Sequence, residues 1–350
     1  MQQLYADIIS WSYQIGRSRR YIVKDPVVRE IVVIPFRDRI VQHLISCYLT
    51  PLFEKQFIYD NYANRVGKWC LFGIRRVDHM LRSVSRNYTR EARVLKCDIQ
   101  SCFMSIDRTL VREHVTRRVF REQVERSKPW LLWLVQKSLF HEYVDWRQDC
   151  TSFTQRKLLP TNKSMQACNT WCWLPLWNLT SHLFAQILLH QLDLFVKHEL
   201  KIKGYGRYVD DFVLIHHNHD YLKACISRIN TFLSTSLRLH LHPKKIYLQP
   251  VTKGVSFLGV YLKPRCRLVW KRTIHRVEKK ITAINNKTFS VSYGDKLRSM
   301  INAYFGLMRH HHSFHLRKKC MSSLSSFWYN ELRVRKGYVS VKPRRKICVV

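Results

Sequence analysis

Residues 204–217 read GYGRYVDDFVLIHH, two runs of apolar, β-favouring residues around adjacent aspartates at 210 and 211. The pattern predicts a β-hairpin with its turn at Asp210 and Asp211. Adjacent aspartates are common in turns and mean little by themselves. Here buried strands would hold both carboxylates at a hairpin tip. A third acid, Asp98, ends the strand-like stretch RVLKCDI at 93–99. Three carboxylates converging on one sheet edge repel one another unless cations sit between them. Such a cluster suits two divalent ions about 3.5–4 Å apart, which stabilise the attacking and leaving oxygens of phosphoryl transfer.

The bulk charge agrees with that chemistry. Sixty-one Lys and Arg against 24 Asp and Glu give a formal net charge of +37 over 350 residues. The basic residues run from Arg17 to Arg345, so a polyanion is the expected partner, nucleic acid first. A ribosomal-type or membrane-surface protein is the alternative, but those are usually shorter or carry their charge in tails and amphipathic helices. A hydrophobic content of 46% and aromatic content of 13% mark a folded chain, long enough for two or three domains. No apolar stretch approaches the roughly 20 residues of a membrane span. The opening MQQLYADIISWSYQIG lacks the pattern of a secretory signal. Eleven cysteines include no CxxC pair and are odd in number, which reads as reduced thiols in a cytosolic protein. His310, His311 and His312 with His315 could suggest a metal site, but consecutive helical positions point in different directions.

Along the chain, residues 27–57 begin as a short strand ending at Pro35. A helix then follows, with Ile40, Val41, His43, Leu44, Cys47 and Tyr48 at helical spacing. Asp107 is placed to cap the helix that follows it, and Thr180 or Ser181 to cap the long helix SHLFAQILLHQLDLFVKHELK. HLHPKKIYL and GVSFLGVYL read as two more short strands. Residues 271–335 read as mostly helical and basic, and PRRKICVV as a basic tail.

RYVDDF at 207–212 resembles the YxDD motif of reverse transcriptases, and CDIQSCFMSID at 97–107 resembles their first catalytic motif. HPKK with VSFLG is similar to the downstream motif D and primer-grip segments, and REIVVIPFRDRIVQH to the fingers of group II intron-like enzymes. The matches follow family order over roughly residues 20–310. LPLWNLTSHLFAQ is similar to the LPIGNLTSQLFAN form of diversity-generating retroelements, where intron enzymes carry QGxxxSP.

The resemblance implies an α+β right-hand polymerase with an antiparallel palm sheet. Fingers would cover 1–92, a palm 93–265 with a fingers insertion about 108–170, and a helical basic thumb and tail 266–350. Asp98, Asp210 and Asp211, with the backbone of Ile99, would bind two Mg²⁺ ions, with Mn²⁺ a possible substitute. Ile99 would also contact the incoming triphosphate. Phe103 would be the steric gate that favours dNTPs over rNTPs. Arg29 and Arg39 would grip the triphosphate, Lys244 or Lys245 would protonate pyrophosphate, and Asn178 and His182 would contact the nascent base pair. Val255–Gly259 would hold the primer end. The implied partners are an RNA template, a primer, dNTPs and a small basic accessory protein, in the cytoplasm. The implied activity is error-prone cDNA synthesis by an RNA-directed DNA polymerase. A group II intron-like or phage-defence enzyme is the alternative, as is a catalytically inactive RNA-binding relative. The N-terminus is short for the family.

One feature departs from the family in a single direction. Residues 169–182 read NTWCWLPLWNLTSH, and the family has glycine at the positions of Trp173 and Trp177. Trp69 in RVGKWC likewise falls where the family shows RxGKG. The whole chain has 10 glycines and 10 tryptophans, whereas average usage gives about 25 glycines in this length. Either the tryptophans are stacking platforms for bases, or the gene uses UGA for glycine and has been read with UGA as tryptophan. The second reading predicts UGA codons at 69, 173 and 177. Sequencing the gene decides it, because UGG at those positions leaves only the first reading.

Overall fold

From the N-terminus, helix α1 (Gln2–Ile9) precedes a hairpin of β1 (Arg19–Val23) and β2 (Arg29–Val33), and helices α2 (Phe36–Glu54) and α3 (Cys70–Val84) follow. Strand β3 (Arg93–Asp98) leads through the short α4 (Cys102–Ser105) into α5 (Arg108–Arg121) and α6 (Lys128–Phe140). Helix α7 (Leu179–Leu194) precedes β4 (Gly204–Tyr208) and β5 (Asp211–His216), then α8 (His219–Phe232) and β6 (Tyr247–Pro250). This computed structural model describes residues 2–24, 27–122, 128–141, 154, 157–165, 168, 171–176, 178–286 and 291–344. Trp177 and Trp146, and much of the expected insertion at 108–170, lie outside the described residues. The chain forms two compact units, 1–84 with 92–248 and 85–91 with 249–350.

The first unit is built on an antiparallel sheet ordered β4-β5-β3-β6. β5 is central, and its run Phe212, Val213, Leu214 and Ile215 is buried on both faces. That is why the sequence reads there as continuous apolar residues rather than an alternation. Helices α2, α5, α6 and α7 share one core with the sheet, joined by α8. The buried stripe of α2 is Val41, Ile45, Leu49 and Phe53, at i, i+4 spacing. His43, Cys47 and Tyr48 of the expected face are exposed, so the helix is rotated from the sequence reading.

Two capping expectations part company. Asp107 caps α5, accepting from the N–H groups of Thr109 at 2.7 Å and Leu110 at 3.3 Å. Neither Thr180 nor Ser181 caps α7, which starts one residue before Thr180 with Asn178 at its cap position. The Thr180 hydroxyl instead hydrogen-bonds that of Ser138 on α6 at 3.3 Å, inside the core.

The second unit carries a three-stranded antiparallel sheet of β7 (Val255–Phe257), β8 (Val260–Lys263) and β9 (Cys266–Val269). GVSFLGVYL is therefore a hairpin rather than one strand. Its two loop residues, Leu258 and Gly259, have φ of 50° and 80°, as a tight type I′ turn requires. Helices α9 (Lys271–Asn285), α10 (Val291–Met308), α11 (Phe314–Ser322) and α12 (Ser326–Asn330) follow, closed by a hairpin of β10 (Leu332–Val334) and β11 (Val341–Pro343). Val277, Ile281, Leu297, Ile301, Phe305 and Trp328 form their core. Among the described residues, no helix is long and apolar enough to cross a membrane.

Asp107 also pairs with Arg238, beyond α8. Burial opposes ionisation of its carboxyl, but hydrogen bonds from Thr109 and Arg238 outweigh it and hold the pKa below the usual value. Asp107→Ala is expected to cost about 0.5–2 kcal/mol through the lost cap, measured by urea unfolding at pH 7. The folded-state pKa is depressed, so this contribution is present above about pH 4 and is lost as pH falls through the folded-state value.

Candidate active site

The β3–β5 register places Asp98 opposite Asp211. Asp210 sits on the two-residue turn between β4 and β5, beside them. The N–H of Ile99 donates to the carbonyl of Asp210 at 3.1 Å, which ties the end of β3 to that turn. The turn consists of Val209 and Asp210 rather than the expected Asp210 and Asp211, because Asp211 is taken into β5 by its pairing with Tyr208 and Asp98. Val209 has φ of 54°, a left-handed conformation that is an outlier for a β-branched residue and costs on the order of 1–3 kcal/mol.

Two lysines answer the clustered charge. Lys245 donates to both carboxylate oxygens of Asp98 at 2.9 Å. Lys96, two residues before Asp98, pairs with Asp211 at 3.0 Å. Even so, burial pushes the Asp211 carboxyl up to about 6, against the pull of Lys96. Burial, then the neighbouring Asp98, raises that of Asp210. Asp211 Oδ1 is buried without a hydrogen-bond partner. Oxygen donors, excess negative charge and one unsatisfied carboxylate oxygen fit hard divalent cations. No group of three or more His, Cys, Asp or Glu among the described residues is arranged to hold a metal ion.

Two of the other expected site residues touch each other. The ring of Phe103, at the start of α4, meets that of His182 on α7 edge-on, with centroids 5.3 Å apart. Burial lowers the His182 pKa, so the imidazole is neutral at pH 7. Asn178 Nδ2 and His182 Nδ1 are both buried without a partner. Ile99 has already committed its N–H, so its carbonyl is what it can offer a ligand. Arg29, at the start of β2, lies close enough to Asp210 to favour its ionised form. Arg39 turns back to its own chain, donating to the carbonyl of Ile34 at 3.2 Å. Lys245, not Lys244, is the lysine on the carboxylates; the Lys244 N–H donates to His242 in the turn before β6. Val255–Gly259 belong to the second unit, on β7 and its turn.

The tryptophan loop runs behind Phe103. Trp173 and Leu174 donate backbone N–H groups to the carbonyls of Ile106 and Phe103, and Arg108 donates to that of Trp171. Trp173 has φ of 104°, in a region essentially reserved for glycine. Its side chain is buried among Val32, Ile34, Met104 and Met165, so it has no free face for a base and is no stacking platform. Trp171 and Trp69 are exposed, and Trp69 does not have a positive φ. Trp11 also has a positive φ, 61°, at the end of α1. There Ser12 N–H bonds the Asp7 carbonyl and Trp11 N–H bonds that of Ile8. This is a Schellman cap with tryptophan in the glycine place.

The Asp211 pKa sets a stability prediction. Its folded-state value, about 6, lies above the ordinary ~3.9, so the folded protein binds that proton more tightly. Stability is therefore lost as pH rises from about 4 to about 6. Without divalent ions, Asp211→Asn is expected to raise the melting temperature near pH 7 and to leave it unchanged near pH 4. Thermal scans at both values read this, and equal shifts at the two would remove the buried-charge explanation.

Comparison with known proteins follows the same residues. The family model described as reverse transcriptase (RNA-dependent DNA polymerase) matches residues 24–262. No curated protein sequence gives a significant match. Among solved structures, apo telomerase from Candida tropicalis is similar at TM-score 0.51 and 11% identity, covering 92% of this chain and 65% of that one. Telomerase from Candida tropicalis in complex with a TWJ fragment of telomeric RNA gives TM-score 0.50 and 12% identity, covering 92% and 60%. The chain thus spans about three-fifths of that telomerase, and identities this low show a shared fold alone. The family model, by contrast, covers more than half of the chain and contains Asp98, Asp210 and Asp211 on their sheet edge. This chain belongs to the reverse transcriptase (RNA-dependent DNA polymerase) family.

Proposed function

We propose that the chain is the polymerase of a diversity-generating retroelement, copying a template RNA into cDNA with frequent errors. The observation that carries the polymerase reading is the edge where Asp98 faces Asp211 beside Asp210, with Phe103 and His182 in contact near it. The retroelement assignment rests on the likeness of LPLWNLTSHLFAQ to that group's form. Asn178 and His182, with polar atoms left unpartnered, suit contact with a nascent base pair. Glutamine stands in the family at the place of His182, and a neutral histidine there bears on fidelity.

Asp98, Asp210, Asp211 and the Ile99 carbonyl would hold two Mg²⁺ ions. When bound, these neutralise charge on the attacking and leaving oxygens of nucleotidyl transfer. Phe103 closes the space a ribose 2′-OH would need and so selects dNTPs. Arg29 grips the triphosphate through a guanidinium fork matched to phosphate, and Arg39 joins it through the terminal nitrogens, since its Nε is held by the Ile34 carbonyl. Lys245, or Lys244 beside it, gives a proton to departing pyrophosphate. Residues 1–92 serve as fingers, 93–265 as palm and 266–350 as thumb, where basic helices follow the template–primer backbone. A small basic accessory protein and a cytosolic setting belong to the same proposal.

Primer extension on an RNA template with Mg²⁺ and dNTPs tests this reading. The chain is expected to extend the primer, with errors concentrated opposite template adenines. Asp210→Ala is expected to reduce extension by roughly 100-fold or more, since removing one ligand gives up several kcal/mol of charge stabilisation. Extension with evenly spread errors would favour the intron-like or defence enzymes. No extension, even with candidate template RNA and accessory protein present, leaves an RNA-binding role.

A further inference from the structure

Among the described residues, the least exposed charges lie just behind the carboxylate turn. Arg207 on β4 and Asp193 near the end of α7 are both completely buried. The guanidinium donates to the two carboxylate oxygens of Asp193, from Nε at 2.7 Å and from Nη2 at 2.6 Å. Tyr205 adds its hydroxyl to the same carboxylate at 2.8 Å. The remaining nitrogen, Nη1, donates to the backbone carbonyl of Val209 at 3.0 Å. Val209 is the residue held at φ of 54° immediately before Asp210 and Asp211.

A buried ion pair is a weak source of stability, since apolar residues of similar volume usually fill the same space at no loss. Stability alone therefore does not explain an arginine inside this sheet. Its geometry does more than close a pair. The backbone of Arg207 is itself fixed, with its N–H on the Asp60 carbonyl and its own carbonyl accepting from Tyr62 N–H, both at 3.0 Å. The planar fork has two nitrogens pinned to Asp193, so the direction of the third is set. That third nitrogen holds a strained peptide, and strain of this kind persists only where its surroundings over-determine it. α7 also carries His182 near its start, against Phe103. The same helix thus anchors the turn at one end and borders the proposed nucleotide pocket at the other.

We infer that Arg207 and Asp193 are positioning residues that hold the Val209 carbonyl, and through it fix the direction of the Asp210 and Asp211 carboxylates. The inference rests on the reading of those carboxylates as the reaction centre. The lysine alternative illustrates what the fork supplies: an ammonium at 207 could neutralise Asp193 but could not fix two partners at set angles.

The test replaces the pair as a unit. Asp193→Leu with Arg207→Met removes both charges together and leaves neither buried alone. Melting temperature reads folding, hydrogen exchange of the amides at 209–212 reads the turn, and single-nucleotide incorporation reads kcat and KM. The expected result is a melting temperature within a few degrees of the parent, exchange about tenfold faster at the turn, and kcat about tenfold lower with KM for dNTP unchanged; tenfold is about 1.4 kcal/mol. Parental exchange and kcat in a folded double variant would overturn the inference. If the double variant does not fold, Arg207→Lys takes its place, with the same turn-specific changes expected and parental values in both readouts overturning it. If the parent protein itself extends no primer, the reaction reading fails, while the exchange comparison still decides whether the pair holds the turn.

Discussion

Like charges brought to one edge of a sheet are what the rest of this fold has to accommodate. Asp98, Asp210 and Asp211 meet because β3 and β5 pair in one register, and a shift by one residue would send every side chain to the opposite face. Lys96 and Lys245 supply local positive charge, yet Asp210 and Asp211 remain reluctant to ionise because they are largely withdrawn from water. A net charge of +37 does not relieve this, since most of it stands in high-dielectric solvent and beyond the screening length. What matters is the cation within a few ångström.

Much of this was legible in the sequence for identifiable reasons. Strand β3 with Asp98 at its end, the β4–β5 hairpin and the helical run after residue 271 all carry their signals locally. Errors arose where local chemistry lost to a distant partner. Asp is the better tolerated residue at positive φ, so turn rules favour Asp210 and Asp211, but pairing with Asp98 draws Asp211 into the strand and leaves Val209 in the strained place. Thr180 looks like a cap until Ser138, 42 residues earlier, takes its hydroxyl. Leu258 offers no hint of a type I′ turn, so a hairpin passed for one strand. Lys96 and the Arg207–Asp193 pair left no sequence signal, because an ion pair formed across elements has no period or motif.

The tryptophans show how backbone geometry separates readings that composition leaves open. A ring buried at Trp173 cannot stack on a base, and its φ of 104° belongs to a residue without a Cβ. Trp11 joins it through the hydrogen bonds that end α1. Trp328 is different in kind: it fills the core of the second unit, and its indole N–H donates to the Ile284 carbonyl at 3.1 Å. Such a residue belongs where it is.

The complete burial of Arg207 and Asp193 also constrains how the chain can change over time. Losing either one alone strands the other charge in the interior, at about 3–5 kcal/mol, a large share of the 5–15 kcal/mol that keeps a domain folded. Every one-step path that removes just one of the two charges therefore passes through a chain close to unfolding. A change that removes the charge at 207 is therefore tolerated only together with one that removes the charge at 193. Two sites 14 residues apart, on a helix and a strand, are constrained as one.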